Sequence, residues 1–223
     1  MCGRFTVNCS PVDVGSLFGV SETLHPAATS FNVAPGQEVP VVWDDGAGRK
    51  LDRFKWGLIP SWAKDPAIGN RLINARAETV AEKPAFRQAF LKRRCLILAD
   101  GFYEWKTEGG RKAPYRVTIE GQPVFAFAGL WEAWTPEGGE TVKTCAIVTT
   151  EANDFMRAIH ARMPVILAPV DYAVWLDPKN RDAAALLALL KPYPSERMRA
   201  SAVSTRVNSP RNNDPACILP LSD

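Results

Sequence analysis

The 223-residue sequence is poor in metal ligands: it has two histidines, His25 and His160, and five cysteines, Cys2, Cys9, Cys95, Cys145 and Cys217, with no Cys-x-x-Cys pair among them. Zinc needs closely spaced Cys and His ligands, so no metal site is expected. An odd number of scattered cysteines implies no disulfide framework and suits reduced thiols in a cytoplasm. Long apolar runs are also missing. The longest, Ala183 to Leu190, falls far short of the roughly 20 residues that cross a bilayer, so no membrane association is expected. The opening Met1-Cys2-Gly3-Arg4-Phe5 soon reaches polar Asn8 and Ser10, which does not fit a secretory signal.

Gly-rich phosphate loops are absent too. Neither Gly-x-Gly-x-x-Gly nor Gly-x-x-x-x-Gly-Lys-[Ser/Thr] occurs, which removes support for a nucleotide cofactor, and no cofactor is expected; without Gly-x-Ser-x-Gly the α/β-hydrolases lose theirs. The formal net charge is only +3. Bulk electrostatics therefore cannot hold a nucleic acid, and any such site must be a local cluster.

What is present is an ordinary globular composition, 46% hydrophobic and 23% charged. No Ser/Gly-rich or charge-rich linker divides the chain, so residues 1–223 read as one domain. Eighteen prolines cut it into short elements. Short apolar or alternating runs at 39–43, 51–56, 95–99, 115–119, 124–130, 145–149 and 165–167 predict strands. Helices fit the segments after Ser10, over 85–92, after Thr150, after Ala168 and over 182–190, with Ser10 and Thr150 as N-caps and Pro11 and Pro169 in first turns. Strands outnumber helices without alternating with them. The expected class is therefore α+β: an antiparallel, barrel-like β core with peripheral helices.

Cys2 is the first residue with distinctive chemistry. Removal of Met1 would leave it with an α-amine and a thiol on adjacent carbons, a pair that no internal cysteine offers. A reference α-amine titrates near pH 7.7–8, so an appreciable share is neutral and nucleophilic at physiological pH. Such an amine condenses with an aldehyde to an imine, and the thiol can then close a five-membered thiazolidine in an intramolecular step. A second-position cysteine that is merely buried is the competing reading. Gly3 permits close backbone approach, and Arg4 can fork onto a phosphate or carboxylate.

Asn74 and Arg76, in Ile-Asn-Ala-Arg-Ala-Glu-Thr, read either as an oriented amide and cation at a site or as a solvated loop entering a helix near Glu78. In Asp100-Gly-Phe-Tyr-Glu-Trp105, strand alternation puts Phe102 and Glu104 on one face and Tyr103 and Trp105 on the other. Buried there, Glu104 would have a raised pKa and could act as an acid or base near neutrality; a rim carboxylate paired with an arginine is the alternative. His160 falls between a predicted helix and a strand, a junction that often displays site residues, although a lone histidine is as readily structural. His25 reads as an exposed bystander. Trp56, Trp62 and Trp105, with Lys92-Arg93-Arg94, offer stacking platforms and cations suited to single-stranded nucleic acid, while core packing accounts for many of the seven tryptophans.

Nine segments in order resemble the SOS response-associated peptidase (SRAP) family: 2–5, 31–35, 56–62, 73–79, 100–105, 127–132, 149–153, 160–164 and 207–213. The resemblance spans the chain and implies a single SRAP domain in a bacterial, cytoplasmic protein that joins the nucleoid when bound to DNA. It implies a sensor that crosslinks itself through Cys2 to abasic sites in single-stranded DNA as a thiazolidine. On that basis Asn74 would hold the sugar and the amine, Glu104 would move protons during ring opening and imine formation, and His160 would assist ring opening and reversal. Gly3, Arg4, Arg76 and Arg162 would meet the DNA backbone and Asn32 would add a polar contact, with Pro35, Trp62 and Trp105 as an apolar wedge. A monomer is expected, with replication-fork proteins as candidate partners. Phe31 stands where many relatives carry Tyr, which removes a hydroxyl and keeps the ring. Self-removal of Met1 by Cys2, Glu104 and His160 is a further expectation. The rival enzyme is an N-terminal-nucleophile thiol peptidase or amidohydrolase, and a plain nucleic-acid-binding module is a second rival.

Overall fold

A computed structural model describes residues 2–8 and 11–221. The fourteen strands begin with β1 (Phe5–Val7), β2 (Glu22–Thr23), β3 (Ser30–Val33), β4 (Glu38–Asp44), β5 (Arg49–Trp56), β6 (Asn74–Arg76) and β7 (Arg94–Ala99). They continue with β8 (Gly101–Glu108), β9 (Arg111–Ile119), β10 (Phe125–Trp134), β11 (Val142–Glu151), β12 (Arg162–Pro164), β13 (Ile166–Leu167) and β14 (Met198–Ala202). The helices are short: α1 (Pro11–Phe18), α2 (Arg87–Lys92), α3 (Asp154–Arg157), α4 (Tyr172–Leu176) and α5 (Ala183–Ala188).

Strands β11, β10, β7, β4 and β5 pair in that order, and β5 returns to β11, which closes a five-stranded barrel. Four of these pairings are antiparallel and the closing one is parallel, aligning Trp56 with Cys145. A second sheet runs β14-β9-β8-β1-β3. Alternation sorts the barrel side chains into two sets. Val42, Leu96, Ala128 and Val148 pack with Phe18, Phe90, Trp175 and Leu186 of the helices, which therefore cover the outside. Val41, Ile97, Phe127 and Ile147 form the other cluster, together with Phe5, Phe102, Val117 and Met198 of the second sheet. One apolar core thus joins barrel and sheet, and no helix among the described residues is long and apolar enough to cross a membrane.

The mixed α+β class, with a barrel-like core and helices around it, is as the sequence predicts. Three local expectations differ. Thr150 does not cap a helix, because β11 continues through Glu151; the cap of α3 is Asn153, whose side chain accepts from the Met156 amide at 2.8 Å. The segment around Asn74 is a strand, β6, lying parallel to β11 with Asn74 opposite Ile147, followed by a single 3₁₀ turn over Ala77–Thr79. His25 is exposed but paired, its Nδ1 lying 2.7 Å from Asp52 Oδ1. Ser10, expected as the cap of α1, lies outside the described residues.

Candidate active site at the amino-terminal cysteine

The position of Cys2 is set by β1, whose three residues are sandwiched between two antiparallel neighbours. Phe5 aligns with Phe102 of β8 and Val33 of β3, and the Tyr103 amide donates to Arg4 O at 3.0 Å. Behind this strand lies a partly buried brace. Arg116 Nη2 reaches Asp100 Oδ2 at 2.8 Å and Thr6 Oγ1 at 3.3 Å. Gly101 makes room for it, since a Cβ there would stand 2.7 Å from Arg116 Nε. A substitution at Gly101 would push on a guanidinium already fixed at both ends.

Four side chains converge on the segment so placed. Cys2 is fully buried, and Asn74 Nδ2 donates to its carbonyl oxygen at 2.9 Å. That bond ties the start of β6 to the residue ahead of β1. Asn74 Oδ1 is buried and has no hydrogen-bond partner among the described residues. Glu104 is 3% exposed, and on the alternation argument it shares the face of core residue Phe102. Burial pushes its carboxyl above the usual range, against the pull of the amino-terminal charge and of His160. Burial also pushes the Cys2 thiol far up, and the Glu104 charge adds to the shift. The thiol therefore keeps its proton at neutral pH.

His160 follows α3 and precedes β12. Its Nδ1 lies 3.0 Å from the Arg162 amide nitrogen, so the backbone orients the ring. Glu104, His160, Trp105, Lys112 and Asn208 together line a cavity of about 480 Å³. Trp105 Nε1 donates to Asn208 Oδ1 at 2.8 Å, which fixes the indole in the cavity wall. Tyr103 and Trp105 both pack toward Val203 and Val207, on the side opposite Phe102 and Glu104.

The predicted DNA contacts divide. Arg76 is exposed at the end of β6, Pro35 is exposed, Gly3 is partly exposed, and Trp62 is 59% exposed, which is unusual for an indole. Arg4, Asn32 and Arg162 are engaged inside the protein. Arg4 Nη1 donates to Asn32 Oδ1 and to Val207 O, each at 2.7 Å, and Nη2 donates to Asn208 O at 3.2 Å. Asn32 is buried and its Nδ2 donates to the carbonyls of Val207, Ser209 and Asn212. Arg162 forks onto Glu78 at 2.5 and 3.0 Å, and the Arg162 bond holds the Glu78 carboxyl below its ordinary value. Sequence reasoning missed Lys112 and Asn208. Asn208 falls in the 207–213 segment, whose density of Asn, Pro and Ser was a usable signal; Lys112 is one of 27 basic residues and carried none.

The family model for "SOS response associated peptidase (SRAP)" matches residues 1–210. The abasic site processing protein YoqW of Bacillus subtilis is 46% identical over 98% of this chain and 99% of its own length. The abasic site processing protein HMCES of Xenopus tropicalis is 32% identical, over 99% of this chain and 78% of its own. A crystal structure of a protein from Bacteroides thetaiotaomicron superposes with a TM-score of 0.88 at 28% identity, covering 99% of this chain and all of the other.

Proposed function

Because the chain belongs to the SOS response associated peptidase (SRAP) family, we propose that it processes abasic sites, as its relatives' names state for them, and that it does so in single-stranded DNA by bonding to the lesion through Cys2. One observation carries this reading. A buried Glu104 lies close enough to act on both Cys2 and His160, while Asn74 holds the Cys2 carbonyl at 2.9 Å.

An abasic deoxyribose is mostly a closed hemiacetal. Opening it requires a proton delivered to the ring oxygen and another removed from the anomeric hydroxyl, which frees the C1′ aldehyde. Burial shifts the Glu104 carboxyl upward, which favours the protonated form that a donor needs, and His160 stands in the same cavity to serve the second transfer. After Met1 is removed, the Cys2 α-amine adds to C1′ and water leaves, giving the imine. The thiol then adds to the same carbon and its proton moves to the ring nitrogen, so that aldehyde and aminothiol become thiazolidine and water. Asn74 Oδ1 is an acceptor for the α-amine or a sugar hydroxyl during these steps.

Burial of the thiol sets the order of events. A protonated Cys2 cannot attack first, so the amine acts and the thiol follows once an iminium charge is beside it. Closing the ring removes the imine that would otherwise lead to β-elimination, so the strand is kept intact. Met1 is released either by a methionine aminopeptidase or by Cys2 itself with Glu104 and His160. The setting is a monomer meeting exposed single strands, as at replication forks.

The test mixes Met1-processed protein with single-stranded DNA carrying one abasic site and reads denaturing gels and intact mass. A heat-stable adduct without borohydride is expected from the wild type and none from Cys2→Ala, while Cys2→Ser keeps an imine that borohydride traps. No adduct from a chain with confirmed Met1 removal and intact Cys2 would end this reading, and amide substrates would be screened instead.

A further inference from the structure

Lys112 lines two cavities at once. On one side is the 480 Å³ cavity of Glu104 and His160; on the other is a second, of about 420 Å³, whose walls include Arg111, Pro114, Val203, Thr205 and Leu221. Each is of the size that holds a small organic ligand. The β8–β9 hairpin explains why they adjoin. Trp105 pairs with Pro114 and Thr107 with Lys112, so the side chains of Trp105, Pro114 and Lys112 share one face of the hairpin. The Asn208 bond to the indole fixes the ridge between the two cavities.

The second cavity has an apolar wall and a basic rim. Leu221, 56% exposed, gives the wall its apolar surface, and Pro114 and Val203 lie buried behind it. Glu108 also lines it, but that carboxylate is 2.8 Å from Lys106 Nζ and accepts from Tyr115 at 3.1 Å. Arg111 and Lys112 are both exposed, and neither has an ion-pair partner among the described residues. The rim therefore keeps uncompensated positive charge, which a phosphate can neutralise, beside an apolar side chain that a base can cover.

We infer that this second cavity binds a nucleotide flanking the lesion, its base against Leu221 and its phosphates on Arg111 and Lys112. The strand passes from one cavity to the other over Trp105 and Lys112. This assignment rests on the abasic-site reading above and adds to it a direction for the DNA.

The experiment uses processed full-length protein and oligonucleotides with one abasic site and a flank on the 5′ side only or on the 3′ side only. Fluorescence anisotropy gives affinity, and the dependence of adduct rate on DNA concentration gives half-saturation and limiting rate. Arg111→Glu is expected to weaken binding about three- to tenfold for one polarity of flank only, with the limiting rate unchanged and a salt slope shallower by about 0.7. Thr205→Trp, which fills the cavity without changing charge, is expected to give the same one-sided loss, and thermal unfolding checks that both variants fold. A loss shared equally by the two polarities, or no loss, would overturn the assignment. Binding without any adduct would refute the crosslinking reading alone, because anisotropy still decides the polarity split; no binding by the wild type would refute both.

Discussion

Replacing Arg4 with lysine separates two roles that a cation beside Cys2 could have. If Arg4 serves as a phosphate contact, lysine keeps most of its value. The geometry ties it instead to Asn32 of β3 through a bond of 2.7 Å, and to the loop that carries Asn208 through one bond of 2.7 Å and one of 3.2 Å. The 3.2 Å bond is exposed and counts for little. The other two are partly buried and charge-assisted, a class worth about 1.5–3 kcal/mol each. A lysine nitrogen on its flexible stem can replace one of them but cannot span both acceptors. The expected loss is therefore about 2 kcal/mol, or roughly 4–8 °C in Tm for a chain of this size. Urea and thermal unfolding measure it, and limited proteolysis should find residues 207–213 newly accessible. The salt dependence of DNA binding should stay as in the wild type for both Arg4→Lys and Arg4→Ala. A lysine variant as stable as the wild type, with a shallower salt slope in the alanine variant alone, would refute this reasoning.

Glu104→Gln should slow adduct formation by about 10²–10⁴, in single-turnover kinetics. It should also raise stability at neutral pH. A carboxyl whose pKa is raised on folding keeps a proton that the unfolded chain has released, so the wild type loses stability as pH rises from the ordinary carboxylate range through the raised value. Melting curves across that interval check the sign, and equal stability of the two proteins at pH 7 would contradict it. Asn74→Ala should cost about 1 kcal/mol of stability, from the bond to Cys2 O, yet reduce adduct rate by more than that stability loss, because the Oδ1 acceptor goes too. Rate and unfolding measured on the same preparation decide it. Trp62→Ala should leave Tm nearly unchanged, since the indole is 59% exposed, while weakening single-strand affinity by about 1–3 kcal/mol in anisotropy titrations.

The barrel strands were legible because each is an apolar or alternating run bounded by turn residues, as burial on both faces or on one dictates. Closure of the barrel was not. The β5–β11 pairing joins segments some ninety residues apart, and nothing local in either specifies the partner. The strand at Asn74 was not legible for the same reason: β6 has three residues, and its strand character comes from lying beside β11. At the site, Glu104 was placed correctly on the core face because alternation is a local rule. The engagement of Arg4, Asn32 and Arg162 was invisible, since their partners, Val207, Asn208 and Glu78, are distant in sequence. An exposed arginine and one tied to a carbonyl look alike in a sequence, and only the fold tells them apart.

Burial of Cys2 has a consequence for synthesis. The strand that follows it, β1, has little to hold it until Phe102 of β8 has been made, roughly a hundred residues later. At about 5–20 residues per second, the amino terminus stays open for some 5–20 s on the ribosome. An aminopeptidase has that interval in which to act before the strand is paired on both sides and Cys2 is sealed. Chains released with Met1 still attached would then depend on the folded site to remove it, and their share at release is set by the speed of translation and not by the age of the protein.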